Sequence, residues 1–122
     1  MSLSHAFTIV KTIGFANEIN PDLQAKLMEL AFHTFKKPTD MVVFKPISNP
    51  PQPHETETAQ YEDERRTAIF HVRGLPQKVY AKVDDYGEPA KWDEIYDKEV
   101  AEDLKKSGIA RFVMTFMLAE DY

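Results

Sequence analysis

Histidine is the residue type in this chain best suited to acid–base chemistry or metal binding, and it occurs at positions 5, 33, 54 and 71. No two histidines stand at the spacing of a metal-binding motif such as His-Glu-x-x-His. We expect His33 at the polar edge of a helix and His54 in a solvated loop. His71 lies in the middle of a predicted strand with Arg73 on the same face, an arrangement that suits an anionic ligand or a partner's carboxylate. An ordinary histidine of a sheet face is the simpler interpretation.

A second group combines basic and aromatic residues. Arg65 and Arg66 precede the strand that carries His71 and Arg73, and residues 78–82 add two lysines around a tyrosine. Sheets that bind RNA stack bases on residues of this kind. However, the glycine–aromatic pattern of those modules is missing, and the net charge of −5 opposes phosphate binding. A nucleic-acid-binding or anion-binding face is therefore the alternative prediction, and cross-strand charge pairing the simpler one.

The acidic residues gather in one turn and in the helix after it, at Asp84, Asp85, Glu88, Asp93 and Glu94. Carboxylates near a turn bind hard cations, but these do not follow the alternating spacing of a calcium loop. A solvated turn followed by the acidic first turn of a helix explains them. We predict no metal site here.

No motif for covalent catalysis or phosphate binding is recognisable. The chain has no cysteine, which excludes disulfides, thiolate metal sites and a cysteine nucleophile. The serines do not form a nucleophile elbow, and four glycines provide no phosphate-binding loop. The sequence therefore predicts a non-enzymatic protein without a cofactor, and an enzyme or sensor of small ligands using His71 and Arg73 is a further alternative.

Three aromatic residues suggest protein binding. Trp92 and Tyr96 lie four residues apart on a predicted helix, and Tyr86 lies in the turn before it. Aromatic side chains anchor protein interfaces more often than other types, although the same stripe also suits a plain core. We predict a non-catalytic protein that occludes or bridges a protein partner, as small inhibitors, immunity proteins or bacterial and phage-type assembly subunits do. A homodimer or a higher oligomer is compatible with this prediction.

Length and composition indicate one globular domain over residues 1–122. The chain is 43% hydrophobic and 29% charged, the usual mixture of a folded domain. Its N-terminus lacks the pattern of a secretory signal, and no apolar run approaches the ~20 residues of a membrane span. Absence of cysteine suits a reducing compartment. These features predict a cytoplasmic protein.

Hydrophobic patterning predicts the first half of the chain as two strands around a helix. Alternating β-branched residues over 6–13 predict a strand. Asn20 as N-cap and Pro21 at the first helical position begin a helix that runs to Lys37. A short strand is expected at 40–45. The proline- and acid-rich segment 46–64 is predicted to be a long, mobile loop.

The second half is predicted as a hairpin, a helix and a buried strand. Alternation on both sides of a Gly/Pro turn predicts a hairpin of strands 65–74 and 77–84. A narrow apolar stripe predicts a helix over 93–106, and Gly108 is the stop signal that follows it. Residues 109–119 are apolar on both faces, which indicates an inner strand covered on each side.

The elements together predict an α+β fold. The expected architecture is a two-layer sandwich of a mostly antiparallel sheet and two helices, in the order β-α-β-β-β-α-β. If the strand at 40–45 is peripheral, the remainder has the β-α-β-β-α-β order of ferredoxin-like sandwiches. The first and last strands should then lie beside each other or one apart.

Overall fold

One mixed six-stranded sheet organises the fold, seen in a computed structural model that describes residues 7–35, 41–62, 64 and 66–122. The sheet order is β1-β6-β5-β2-β4-β3, and with four helices beside it the α+β class is confirmed. The strands are β1 (Phe7–Lys11), β2 (Met41–Pro46), β3 (Gln60–Glu62), β4 (Thr67–Val72), β5 (Val79–Asp85) and β6 (Phe112–Leu118). The helices are α1 (Ile13–Glu18), α2 (Pro21–Thr34), α3 (Trp92–Ile95) and α4 (Lys98–Ser107).

The first strand is shorter than predicted, because a helix starts at its end. Thr12 is the N-cap of α1, and its side chain accepts a hydrogen bond from Phe15 N. A capping threonine turns the chain out of the extended conformation, so β1 ends at Lys11 and not at Ile13. The prediction missed α1 because Thr12 and Ile13, at its start, continue the β-branched run.

The main helix begins as predicted. The Asn20 side chain accepts a hydrogen bond from Leu23 N at 2.9 Å, and Pro21 is the first helical residue. The helix ends at Thr34. The predicted end at Lys37 lies outside the described residues.

The strand expected at 40–45 is an inner one, so the condition for the ferredoxin-like order, a peripheral position of this strand, is not met. β2 pairs in parallel with β4 and antiparallel with β5, so it separates the two strands predicted to form a hairpin. The hairpin is therefore wrong, although both of its strands exist. Val42, Val43 and Phe44 are all buried, and a short strand buried on both faces fits the interior of a sheet better than its edge.

The two faces of the sheet differ in burial. Residues paired across strands point to the same face, which allows the faces to be followed through the registers. The first face, which includes Phe44, Phe70 and Phe116, packs against α1 and α2 in the main core. On the second face Val113 is buried, but Thr115 and Met117 are half-buried.

The last strand has the predicted position. β6 lies between β1, to which it is parallel, and β5, to which it is antiparallel. The adjacency of first and last strands is thus confirmed, whereas complete cover of both β6 faces is not found. The sheet departs from a ferredoxin-like arrangement, because the first and last strands are parallel and β2 is central.

The predicted helix over 93–106 is two helices. α3 ends at Ile95, Tyr96 adopts an extended conformation, and α4 begins at Lys98. Gly108 ends α4 in the left-handed conformation, as its residue type predicts. None of the described helices combines the length and the apolar character needed to cross a bilayer.

Candidate functional site

The residues best placed for chemistry meet at one end of the second face. His71 is the fifth residue of β4 and pairs with Lys45 on β2. The residue is 7% exposed. Among the described residues, its Nδ1 is the one buried side-chain nitrogen or oxygen without a hydrogen-bond partner. Leaving a buried polar atom unpaired costs about 1–3 kcal/mol, which makes this imidazole unusual in a folded protein.

The segment 47–59 brings two further polar side chains to His71. The His71 backbone N–H donates to the carbonyl of Thr56 at 3.2 Å, which holds this segment beside β4. The His54 and His71 rings meet edge to face, with centroids 5.6 Å apart. His54, Glu55 and His71 each offer one ligand atom, and these atoms lie within 4.8 Å of one another.

Hydrogen bonds from its own segment hold the Glu55 carboxylate in place. Oε2 accepts from Ser48 Oγ at 2.6 Å and from Ser48 N at 3.0 Å, and Oε1 accepts from Gln52 N at 2.6 Å. The Ser48 hydroxyl bond and the Gln52 amide bond are the main causes that lower the pKa of Glu55 to about 2. Glu55 is therefore a carboxylate at any physiological pH.

His71 is biased toward its neutral form. Burial lowers its pKa, and the charge of Lys45 acts in the same direction, while the Glu55 carboxylate opposes both. A neutral imidazole has one nitrogen lone pair free to accept a proton or to bind a metal ion. The three groups together thus offer two imidazole nitrogens and one carboxylate oxygen.

A tyrosine–lysine patch lies on the same face across β5 and β6. We define it as Lys78, Tyr80, Lys82, Met117 and Tyr122. The rings of Tyr80 and Tyr122 meet edge to face at 5.5 Å, and Tyr122 is 67% exposed. Lys78 Nζ lies 5.8 Å from the centre of the Tyr80 ring, and Lys82 Nζ lies 5.7 Å from that of Tyr122. Met117 pairs with Tyr80 across the two strands.

The three aromatic residues predicted to bind a partner do come together. The indole N–H of Trp92 donates to the carbonyls of Tyr86 and Gly87, and the Tyr96 hydroxyl donates to Tyr86 O at 2.9 Å. Trp92 is only 2% exposed. This cluster therefore fixes the turn after β5, and Trp92 is covered by its own chain.

The two described arginines of the predicted anion-binding group, Arg66 and Arg73, lie at opposite ends of β4. Arg65 lies outside the described residues. Arg66 lines a pocket with Phe35 and Tyr61 at one end of β4, whereas Arg73 follows the other end, two residues after His71. Arg66 is therefore separated from His71 by the length of the strand, while Arg73 is near His71 along the chain.

The acidic turn is used for ion pairs. Arg111 donates to both carboxylate oxygens of Asp85, at 2.8 and 3.0 Å, and also approaches Glu88. Asp93 pairs with Lys105 at 2.7 Å. These carboxylates have cationic partners within the chain.

The sequence indicated His71 but not its neighbours. His54 and Glu55 lie in the segment 46–64 that is predicted to be a mobile loop, and no pattern in the sequence points to Tyr122. A usable signal was the position of adjacent His and Glu in a long loop that precedes a histidine-bearing strand, yet nothing in the spacing places the loop beside that strand.

Comparisons of the chain with protein-family models, with curated proteins and with solved structures found no match. Its function has to be argued from its own side chains. The histidine–glutamate cluster (His54, Glu55 and His71) and the tyrosine–lysine patch are the two groups that offer chemistry to another molecule.

Proposed function

We propose that this chain is a non-catalytic binding protein, which holds an acidic surface of a protein partner on the tyrosine–lysine patch and so occludes or bridges that partner. The observation that carries the proposal is the Tyr80–Tyr122 ring pair, in which Tyr122 is exposed, with a lysine ammonium group over each ring. This ring pair takes the role that the sequence predicted for Trp92, because Trp92 is buried.

The apolar part of the patch supports a protein interface. Tyrosine and methionine are enriched in interfaces, and tyrosine buries a large area at a low cost in conformational entropy. Tyr122 is more than half exposed and Tyr80 and Met117 are half-buried, so a partner would remove further apolar surface from water. Burying one such side chain contributes about 1.5–3 kcal/mol.

The charges favour a partner with acidic groups. Lys78 is exposed, and the Lys82 ammonium group is 3.5 Å from Asp84 in a half-exposed ion pair. Lys45 lies two residues after Val43, which pairs with Tyr80, so a third lysine borders the patch. This local positive charge stands out on a chain of net charge −5 and would orient an acidic partner.

Single-stranded nucleic acid is the second candidate. The specific observation in its favour is the same combination of tyrosine rings and lysines on a sheet face, which resembles a surface for stacked bases and phosphates. The net charge of −5 acts against it. A low-salt binding assay with a labelled single-stranded oligonucleotide separates the two, because binding to phosphate weakens steeply as salt is added.

Affinity capture with matched variants tests the proposal. The wild-type chain, Tyr122→Ala and Lys78→Glu are used as baits in a lysate of the source organism, and the captured protein is then titrated in solution. Val100→Ala and Lys98→Glu are the controls, since both residues are exposed on α4. We expect the patch variants to bind about 5–30 times more weakly, as loss of an interface anchor predicts, and the controls to bind as wild type.

Equal binding by patch variants and controls would exclude this surface. Light scattering on the same samples identifies a second copy of the chain as the partner, since a dimer through the patch dissociates in Tyr122→Ala and persists in Val100→Ala. Oligonucleotide binding that Lys78→Glu abolishes would favour the nucleic-acid candidate instead.

A further inference from the structure

His71, whose Nδ1 has no hydrogen-bond partner, belongs to a group of potential metal ligands. We propose that His54, Glu55 and His71 bind a divalent transition-metal ion, with Zn²⁺ as the ion that this donor set suits best. Neither the proposed function nor the tyrosine–lysine patch is needed for this inference, because none of the three residues belongs to that patch.

The donor types select the class of ion. Imidazole nitrogen suits zinc, copper, iron and nickel, whereas magnesium and calcium require mostly oxygen ligands. Two histidines with one glutamate form a known ligand set of catalytic zinc sites and of non-haem iron sites. The cluster therefore predicts preference for Zn²⁺ over Mg²⁺.

The geometry requires a small contraction. The three ligand atoms are within 4.8 Å of one another, whereas ligands about 2.0–2.2 Å from a tetrahedral zinc ion lie about 3.3 Å apart. His71 is fixed within β4, while His54 is an exposed residue in a segment without helix or strand. The exposed His54 side chain can therefore move toward His71 without disturbing the sheet.

The Glu55 carboxylate is already oriented. A carboxylate accepts about four hydrogen bonds, and Ser48 and Gln52 supply three. Two of these bonds are to Oε2 and one to Oε1, which leaves Oε1 with a lone pair for a metal ion. Hydrogen bonds to a ligand carboxylate are the usual outer support of metal sites.

The unpaired His71 nitrogen is the second, independent observation. An imidazole that is more than nine-tenths buried and has a nitrogen without a partner needs a metal ion or an ordered water to satisfy it. The nearby Lys45 charge disfavours a cation, and the Glu55 carboxylate offsets it. Three protein ligands would leave a coordination position open for water or another ligand.

Titration with Zn²⁺ tests the proposal. The chain is prepared without an affinity tag, freed of metal with a chelator, and titrated by calorimetry, with Co²⁺ as a spectroscopic probe of tetrahedral coordination. His54→Ala is the test variant because His54 is exposed, and its removal should leave the fold intact. His33→Ala is the matched control, since His33 is exposed on α2, away from the cluster.

We expect the wild-type chain and His33→Ala to bind one Zn²⁺ with equal affinity, and His54→Ala to bind at least about tenfold more weakly. Mg²⁺ should not compete, and Tyr122→Ala should bind Zn²⁺ as wild type does. The proposal is overturned if the wild-type chain takes up no Zn²⁺, which would leave an ordered water as the partner of His71. Equal weakening by His33→Ala and His54→Ala, or equal binding of Mg²⁺, would also overturn it.

Discussion

At the scale of single residues, the polar groups of the turn after β5 illustrate how this chain satisfies its charges. Asp85 accepts two hydrogen bonds from the Arg111 side chain and one from Gly87 N. The Arg111 contact lowers the pKa of Asp85, and the Asp85 carboxylate raises that of Arg111. The Asp85–Arg111 ion pair thus connects the end of β5 to the residue just before β6.

Acid should weaken this connection. Because the pKa of Asp85 is lower in the folded chain than its usual value of about 3.9, its contribution to stability is present above that value. It is lost as the pH falls through the lower folded pKa. We expect Asp85→Asn to lower the free energy of unfolding at neutral pH by less than about 1 kcal/mol, because the pair is partly exposed.

Urea unfolding at neutral pH and near pH 3 measures this effect. The difference between wild type and Asp85→Asn should shrink at the lower pH, while Glu102→Gln, an exposed control on α4, should follow the wild type. A constant difference at both pH values would show that the charge of Asp85 is not the cause.

The histidine–glutamate cluster shows how far single residues can be predicted from the sequence. His71 attracts interest in the sequence because it lies within a strand, and the structure confirms that position. His54 and Glu55 attract no such interest in the sequence, because they are linked to His71 by a backbone hydrogen bond between Thr56 and β4. Such a contact depends on how a proline-rich segment returns to the sheet, which no local pattern specifies.

At the scale of elements, the break between α3 and α4 is the main difference between the predicted and the observed helices. The apolar spacing predicted one helix, but Tyr96 is extended and its hydroxyl donates to Tyr86 O. A tertiary hydrogen bond to the preceding turn therefore accompanies the interruption of the helical pattern. Helix propensity is a weak preference that such contacts readily override.

Removing the Tyr96 hydroxyl should destabilise the chain. Tyr96→Phe keeps the ring but leaves the Tyr86 carbonyl with the Trp92 indole as its remaining side-chain donor, so we expect a loss of about 0.5–1.5 kcal/mol in the free energy of unfolding. Tyr122→Phe is the control, because its ring is 67% exposed. The midpoints of urea unfolding measure the stability of both variants. Equal midpoints for Tyr96→Phe and Tyr122→Phe would contradict the proposed role of the Tyr96 hydroxyl.

Element ends were predictable where a single residue type decides them. Asn20 and Pro21 begin α2, and Gly108 ends α4 with a positive φ of 72°, because caps depend on local backbone chemistry. Thr12 caps α1 by the same chemistry, but it stands in a β-branched run that also predicts a strand. Two local preferences competed there, and the sequence alone did not rank them.

At the scale of the whole molecule, the class of the fold followed from the elements and the strand order did not. Alternation shows which face of a strand is buried but says nothing about its neighbour. A short turn favoured pairing of β4 with β5, yet residues 73–78 also span the width of one intervening strand, and β2 occupies that place. Burial of Val42, Val43 and Phe44 within the sheet stabilises this order over a hairpin.

Amide hydrogen exchange tests the strand order directly. Backbone amides of β2 are enclosed by β4 and β5, so we expect them to exchange as slowly as those of β6, which is an inner strand in this order. Amides of β3 at the sheet edge should exchange much faster, because edges open with less loss of structure. If β4 and β5 formed a hairpin with β2 at the margin, β2 would exchange like β3. Fast exchange in β2 beside slow exchange in β6 would thus refute the order, and with it the shared face that places Lys45 next to His71.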